Sequence, residues 1–187
     1  MKRCAWPGKS EIMIKYHDKE WGVPLHDDKK LFEFLVLDAF QAGLSWQIVM
    51  NKRKGFRKAF SGFNYKKIAK FTDKDVDRLK QDASIIRNGL KIKATIKNAQ
   101  AFIKVQKEFG SFDKYIWGFT NGKVIKNKFK HVRDLPATSK ESDEMSADLK
   151  KRGFKFVGST ICYAFMQAAG IINDHTTDCF RYEEVGK

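Results

Sequence analysis

Four residues near the two ends of the chain are of types that bind metal. Cys4 and His17 lie near the start, and His175 and Cys179 lie near the end, four apart, which puts the last two on one side of a helical turn. A Cys2His2 set suits zinc, and four protein ligands close the site, which makes it structural. The same spacing also fits two unrelated ends. A second chemical candidate is Asp38, alone among apolar residues in LFEFLVLDAFQAGLSW, residues 31–46. On a helix, Leu31, Phe34/Leu35, Asp38 and Gln41/Ala42 share one inward stripe. A buried carboxylate is costly unless it is paired, hydrogen-bonded or waiting for a ligand.

Three of the four tryptophans, Trp6, Trp21 and Trp46, fall in the first 46 residues, together with Tyr16. They read either as core or as a box that stacks a flat, electron-poor ring, and a nearby carboxylate favours a positively charged heterocycle there. A third feature is RGFKFVGST, residues 152–160, which joins two helical patterns between Gly153 and Gly158. A helix starting at Gly158-Ser159-Thr160 leaves backbone N–H groups facing outward, suited to an anion such as a DNA phosphate. Lys150, Lys151, Arg152 and Lys155 add local positive charge. Many glycine-cornered helix hairpins only pack, so this alternative stays open.

The elements that must position these residues are almost all helical. DDKKLFEFLVLDAFQAG has acids at its start and Gly43 at its end, and Ser45 is placed to cap a following helix, WQIVMNKRKGFRKAF. Thr72 with Asp75 resembles a capping box. A long periodic run extends from Ser84 to Phe109, with Gly89 as a possible break. Between Gly118 and Lys140 the chain is irregular, with turn signals at Asn121-Gly122 and Pro136, and a short hairpin fits there. Helices resume at ESDEMSADLKKRG and STICYAFMQAAG, before a polar tail, NDHTTDCFRYEEVGK. The pattern predicts an all-α protein of several short helices, folded as one globular unit over residues 1–187.

Composition agrees with a polyanionic partner. The 187 residues carry 37 Lys and Arg against 22 Asp and Glu, a net charge of +15 and a pI near 9.7, and nucleic acid is the first expectation. No stretch of 18 uncharged apolar residues exists, and MKRCAWPGKSE lacks the apolar middle of a signal peptide, so no membrane contact and a cytoplasmic location are expected. Three cysteines do not make a disulfide framework. Cys162 reads as a small core residue, and His26 and His131 have no ligand companions.

The segments RCAWPG, YHDKEWGVP, QAGLSW and LKKRGFKFVGSTICYAFMQAAGIINDH, with Cys179, resemble the bacterial 3-methyladenine DNA glycosylase I family of the helix-hairpin-helix glycosylase superfamily. The similarity runs from Arg3 to Cys179. It implies an all-α helix-hairpin-helix fold whose termini, residues 1–25 and 165–187, form a zinc-bound subdomain through Cys4, His17, His175 and Cys179. It implies a base pocket of Tyr16, Trp21 and Trp46, with Trp6 nearby and Gln41 matching, and DNA contacts by Gly153, Lys155, Gly158, Ser159 and Thr160. It also implies release of 3-methyladenine from alkylated double-stranded DNA by a monomer. Two positions depart from the family: its pocket glutamate, the catalytic position, is Asp38, and a pocket tyrosine is Met13. A carboxylate drawn back by about one C–C bond, ~1.5 Å, reaches a base edge through a bridging water. The residue after Gly158-Ser159 is Thr160 rather than a lysine, which implies hydrolysis without a lyase step, and Asp178, beside Cys179, is given no catalytic role. Two further readings stand beside this one: a relative with shifted alkylpurine selectivity, and a non-catalytic DNA-binding protein.

Overall fold

The computed structural model describes residues 1–185. The terminal unit expected over 165–187 therefore includes two positions, Gly186 and Lys187, outside the described residues. Among the described residues nine α-helices succeed one another: α1 (Glu11–Lys19), α2 (Asp28–Gln41), α3 (Trp46–Ala59), α4 (Tyr65–Ile68), α5 (Asp73–Gln81), α6 (Gly89–Phe109), α7 (Phe112–Gly118), α8 (Lys140–Lys151) and α9 (Ser159–Ala168). Two-residue strands β1 (Ile125–Lys126) and β2 (Ile172–Asn173) complete the described secondary structure, apart from short 3-10 turns.

Helix α2 is the axis of the core. Every residue from Leu31 to Phe40 is buried, so the single inward stripe expected for it is too narrow. Helices α3, α6, α7 and α9 all pack on α2, and a helix that is largely apolar on every side satisfies them together. Its ends are secured by polar groups. Asp27 accepts from the Lys30 N–H at 2.8 Å, and Asp28 accepts from the Phe112 and Asp113 N–H groups that open α7, at 3.0 and 2.8 Å. At the other end the Lys91 ammonium of α6 donates to the carbonyls of Phe40, at 2.9 Å, and Ala42, at 2.6 Å. That cation meets the negative end of the α2 dipole and covers carbonyls that have no partner within the helix.

Local signals set most other boundaries. Ser45 caps α3, and the Thr72 N–H donates to Asp75 at the start of α5, at 2.9 Å. The long run from Ser84 becomes helical only at Gly89, capped by Asn88. Gly55 has a different reason to be glycine: a Cβ there would stand 2.2 Å from the Ser84 carbonyl oxygen, so α3 and the chain before α6 touch backbone to backbone.

The irregular segment after α7 is not a hairpin. The Asn121-Gly122 turn exists, both residues having positive φ, but β1 pairs parallel with β2, Ile125 against Ile172 and Lys126 against Asn173. The partner strand lies nearly fifty residues away, which is beyond what a local turn signal reports. The tail also differs from its polar appearance, because Asn173, Asp174, His175, Thr176, Cys179, Tyr182 and Val185 are buried. Polar groups are tolerated there because they pair with one another and with the first residues of the chain.

Candidate active site and metal-binding cluster

A cavity of about 280 Å³ opens between the N-terminal aromatics, the end of α2 and α9. Trp6, Tyr16, Trp21, Asp38, Gln41 and Trp46 line it, together with Val132, Leu135, Pro136, Ala164 and Gln167. The rings form one connected cluster: Trp6 meets Trp21 edge to face at 5.0 Å, and Tyr16 lies 6.1 Å from Trp6 and 5.5 Å from Trp46. Met13, expected at the pocket, is buried one turn before Tyr16 and is not part of the cavity lining. Helical side chains lean toward the N-terminal turn, and at that spot Met13 joins the core cluster.

Asp38 is 2% exposed, and its Oδ2 has no hydrogen-bond partner. The indole N–H groups of Trp6 and Trp46 are likewise buried without an acceptor. Only four such side-chain atoms occur among the described residues, and three of them belong to this cavity. Leaving a buried polar atom unpaired costs about 1–3 kcal/mol each. The concentration of that cost at one place marks a site with an acceptor and two donors held ready for a guest. Burial pushes the Asp38 carboxyl well above its ordinary range, and burial, then the Asp38 charge, does the same to the Tyr16 phenol. Arg53, whose charge acts on Tyr16, is engaged elsewhere: its Nε donates to Glu33 at 2.6 Å and its Nη1 to Glu20 at 2.9 Å.

Cys4, His17, His175 and Cys179 are all buried, and their four ligand atoms lie within 4.8 Å of one another. The Cys4 Sγ and Cys179 Sγ each stand 3.6 Å from His175 Nδ1, and Cys179 Sγ stands 3.5 Å from His17 Nε2. The remaining ring nitrogens are held: His17 Nδ1 by Asp18 at 2.8 Å and His175 Nε2 by the Trp21 carbonyl at 3.0 Å. This is the outer support that orients imidazoles toward a metal. Burial brings His175 down to about 4 and pushes the Cys4 thiol up to about 12. Neutral imidazoles suit a cation directly, while the Cys4 thiol needs a cation's charge to become a thiolate. Gly22 admits the His175 ring, since a Cβ at position 22 would come within 3.0 Å of Nε2.

The hairpin between α8 and α9 is fixed from beneath. Asn98 of α6 accepts from the Lys155 N–H at 2.7 Å and donates to the Lys155 carbonyl at 3.0 Å, and the Ser146 hydroxyl donates to the Val157 carbonyl at 2.7 Å. Phe154 and Val157 are buried, which leaves Gly153, Lys155 and Thr160 exposed and Gly158 and Ser159 half-buried. Helix α9 has no side-chain cap, so its first N–H groups remain directed outward. The Ser159 hydroxyl is tied to Ser142 at 2.8 Å. Arg152, counted above in the hairpin's local positive charge, is engaged within the protein: it binds Glu108 at 2.7 Å and Asp148 at 2.5 Å and covers the Phe109 and Tyr115 rings.

The sequence matches the methyladenine glycosylase family model over residues 6–182. The chain belongs to the methyladenine glycosylase family. The DNA-3-methyladenine glycosylase of Haemophilus influenzae is 47% identical over 177 residues, covering 95% of this chain and 96% of the relative. DNA-3-methyladenine glycosylase 1 of Escherichia coli K12 is 46% identical over 182 residues, 97% of each. Among solved structures, that of Staphylococcus aureus 3-methyladenine DNA glycosylase I, which describes how that enzyme recognises 3-methyladenine, superposes with a TM-score of 0.93 at 36% identity, covering 96% of both chains.

Against this family background, five lining residues escaped the reading of the sequence. Ala164 and Gln167 sit three apart on α9 and share a face, a signal that becomes usable once a cavity wall is assigned to that helix. Val132, Leu135 and Pro136 come from the irregular segment, where no periodicity marks them.

Proposed function

We propose that this family member excises 3-methyladenine from alkylated double-stranded DNA, everting the damaged nucleotide into the aromatic cavity and cleaving its N-glycosidic bond by hydrolysis alone. The observation that carries the proposal is the buried, unpartnered Asp38 carboxyl beside two acceptor-less indole N–H groups. An adenine edge offers a donor at N6 and an acceptor at N7, so its complement is an acceptor next to donors. Methylation at N3 makes the base cationic, which favours stacking on Trp and Tyr faces and draws the Asp38 proton off. An uncharged base gains neither benefit.

Catalysis then demands little of the protein. The cationic purine leaves as a neutral molecule, so the bond is already weak, and a damaged base costs less to evert. Asp38 acts on the selection of the charged base, with Tyr16, Trp21 and Trp46 stacking and Trp6 and Gln41 completing the edge contacts. The hairpin residues Gly153, Lys155, Gly158, Ser159 and Thr160 hold the DNA backbone. Asp38 is shorter than the family's glutamate, and a water between carboxylate and base spans the difference.

We assign zinc to the Cys4, His17, His175 and Cys179 cluster, with a structural role. Zn–S of about 2.3 Å and Zn–N of about 2.0 Å in a tetrahedron give sulfur-to-nitrogen edges of ~3.5 Å, close to the 3.5 and 3.6 Å found. We read the chain as one working unit, a cytoplasmic monomer, with residues 1–25 and 165–187 as its metal-bound part. Elemental analysis of the purified protein is expected to return one zinc per chain; none after mild purification would remove the assignment.

The decisive assay is chromatography of bases released from methylated DNA. Release of 3-methyladenine supports the proposal. Release of a different alkylpurine points to shifted selectivity at Asp38, and duplex binding with no free base points to a silent DNA-binding protein.

A further inference from the structure

One wall of the cavity is not helical. Val132, Leu135 and Pro136 come from the segment between α7 and α8, which is strongly basic: from Gly122 to Pro136 it carries Lys123, Lys126, Lys128, Lys130 and Arg133 against one acid, Asp134. The whole chain has 37 cations to 22 acids, so a five-to-one ratio here exceeds the general charge excess.

Val132 lines the base cavity and also a neighbouring groove of about 510 Å³, whose other walls include Lys2, Arg3, Lys130, His131 and Arg133. Two of these cations are spoken for, Lys2 by Asp178 at 2.5 Å and Arg3 by Asp18 at 2.8 Å. Lys130 and Arg133 are exposed; among the described residues Lys130 has no ion pair, and Arg133 Nε stands 3.9 Å from Asp134. The backbone that carries them is anchored. The Asn127 N–H donates to the Asn173 carbonyl at 3.2 Å and the Thr177 N–H to the Phe129 carbonyl at 2.9 Å, while the Asn127 side chain donates to Asp174 at 2.7 Å. Cations on an anchored rim present a fixed charge pattern.

A base that enters the cavity brings its sugar and two flanking phosphates to the mouth. We propose that residues 128–136 form a second DNA-contacting arm, separate from the α8–α9 hairpin, in which Lys130 and Arg133 take backbone phosphates beside the everted nucleotide. This rests on the DNA-directed reading of the cavity given above. The hairpin holds the duplex through backbone N–H groups, and the arm holds the damaged strand beside the everted nucleotide through side-chain charge.

The test is the paired substitution Lys130→Ala/Arg133→Ala in the full chain, beside a charge-conserving Lys130→Arg/Arg133→Lys control. Affinity for a duplex oligonucleotide is measured across a sodium chloride series, and binding of free 3-methyladenine is followed by tryptophan fluorescence. Each phosphate contact contributes about 0.9 to the slope of log K against log salt, so the alanine pair is expected to flatten it by nearly 2. The control is expected to keep the wild-type slope, and free-base binding is expected to stay unchanged in both. An unaltered slope in the alanine pair, or equal loss in the control, overturns the arm. Failure of the wild type to bind the free base overturns the reading of the cavity instead, and the slopes still decide the arm.

Discussion

Asp38 and Asp174 are the same residue type at nearly the same depth, 2% and 1% exposed, and the chain treats them in opposite ways. Asp174 accepts from the Tyr163 hydroxyl, the Gln167 amide and the Asn127 amide, each at 2.7 Å. Asp38 accepts from nothing on its Oδ2. A carboxylate with three donors tolerates burial, because the hydrogen bonds replace water. One without partners makes the folded state less favourable and leaves its binding capacity unused. Asp174 is a polar group that builds the wall, and Asp38 is one that, on the proposed function, awaits an occupant. The two are linked through Gln167, which donates to Asp174 and also lines the cavity.

The largest effect is expected at the saturated member of the pair. Asp174→Ala strands three donors and should cost about 3–5 kcal/mol, lowering the melting temperature by roughly 10 °C in a thermal scan. A variant melting within a degree or two of wild type would break the contrast. Asp38→Asn should do the reverse. Its kcat/KM for 3-methyladenine release is expected to fall about 100-fold, a loss of ~2.7 kcal/mol in binding the reacting base. Its stability at pH 7 should rise in the same thermal scan, because a buried ionisable group whose equilibrium is displaced by burial has been removed.

That gain carries its own pH signature. Burial raises the folded-state value of Asp38 above its ordinary 3.8, so the native protein holds the proton over a range in which the unfolded chain has lost it. Wild-type stability therefore declines, relative to Asp38→Asn, as pH rises above about 4, by up to ~1.4 kcal/mol per unit. The gap becomes constant above the folded-state value, and below pH 4 the two proteins should melt together. Melts of both from pH 3.5 to 8 check the sign. The smallest change is expected from Asp38→Glu, which restores the family's side-chain length: release within about threefold of wild type, equivalent to ~0.7 kcal/mol. A gain much beyond that would show that the shorter acid limits this enzyme.

Much of the frame was legible because its causes are local. Ser45, Thr72 with Asp75, and the Gly89 break each act within one helical turn, and each stands at an observed boundary. The terminal Cys and His residues were legible for a chemical reason, since few roles draw those types together, and the fold places their ligand atoms within 4.8 Å. What escaped depends on contacts distant in sequence. Nothing near Lys91 shows that it ends α2, nothing near Arg152 reveals Glu108, and no periodicity announces that Val132, Leu135 and Pro136 face a cavity.

By itself the sequence determined the helical class, the basic character and the inventory of reactive groups, because composition and spacing along a helix act over a few residues. Tertiary structure alone decided which polar groups would find partners. Asp38 and Asp174 look alike on paper, and only the meeting of α9, the tail and the segment before α8 gives three donors to one and an open cavity to the other. Hydrogen bonding saturates at short range, so the difference exists only where distant parts of the chain have come within about 3 Å.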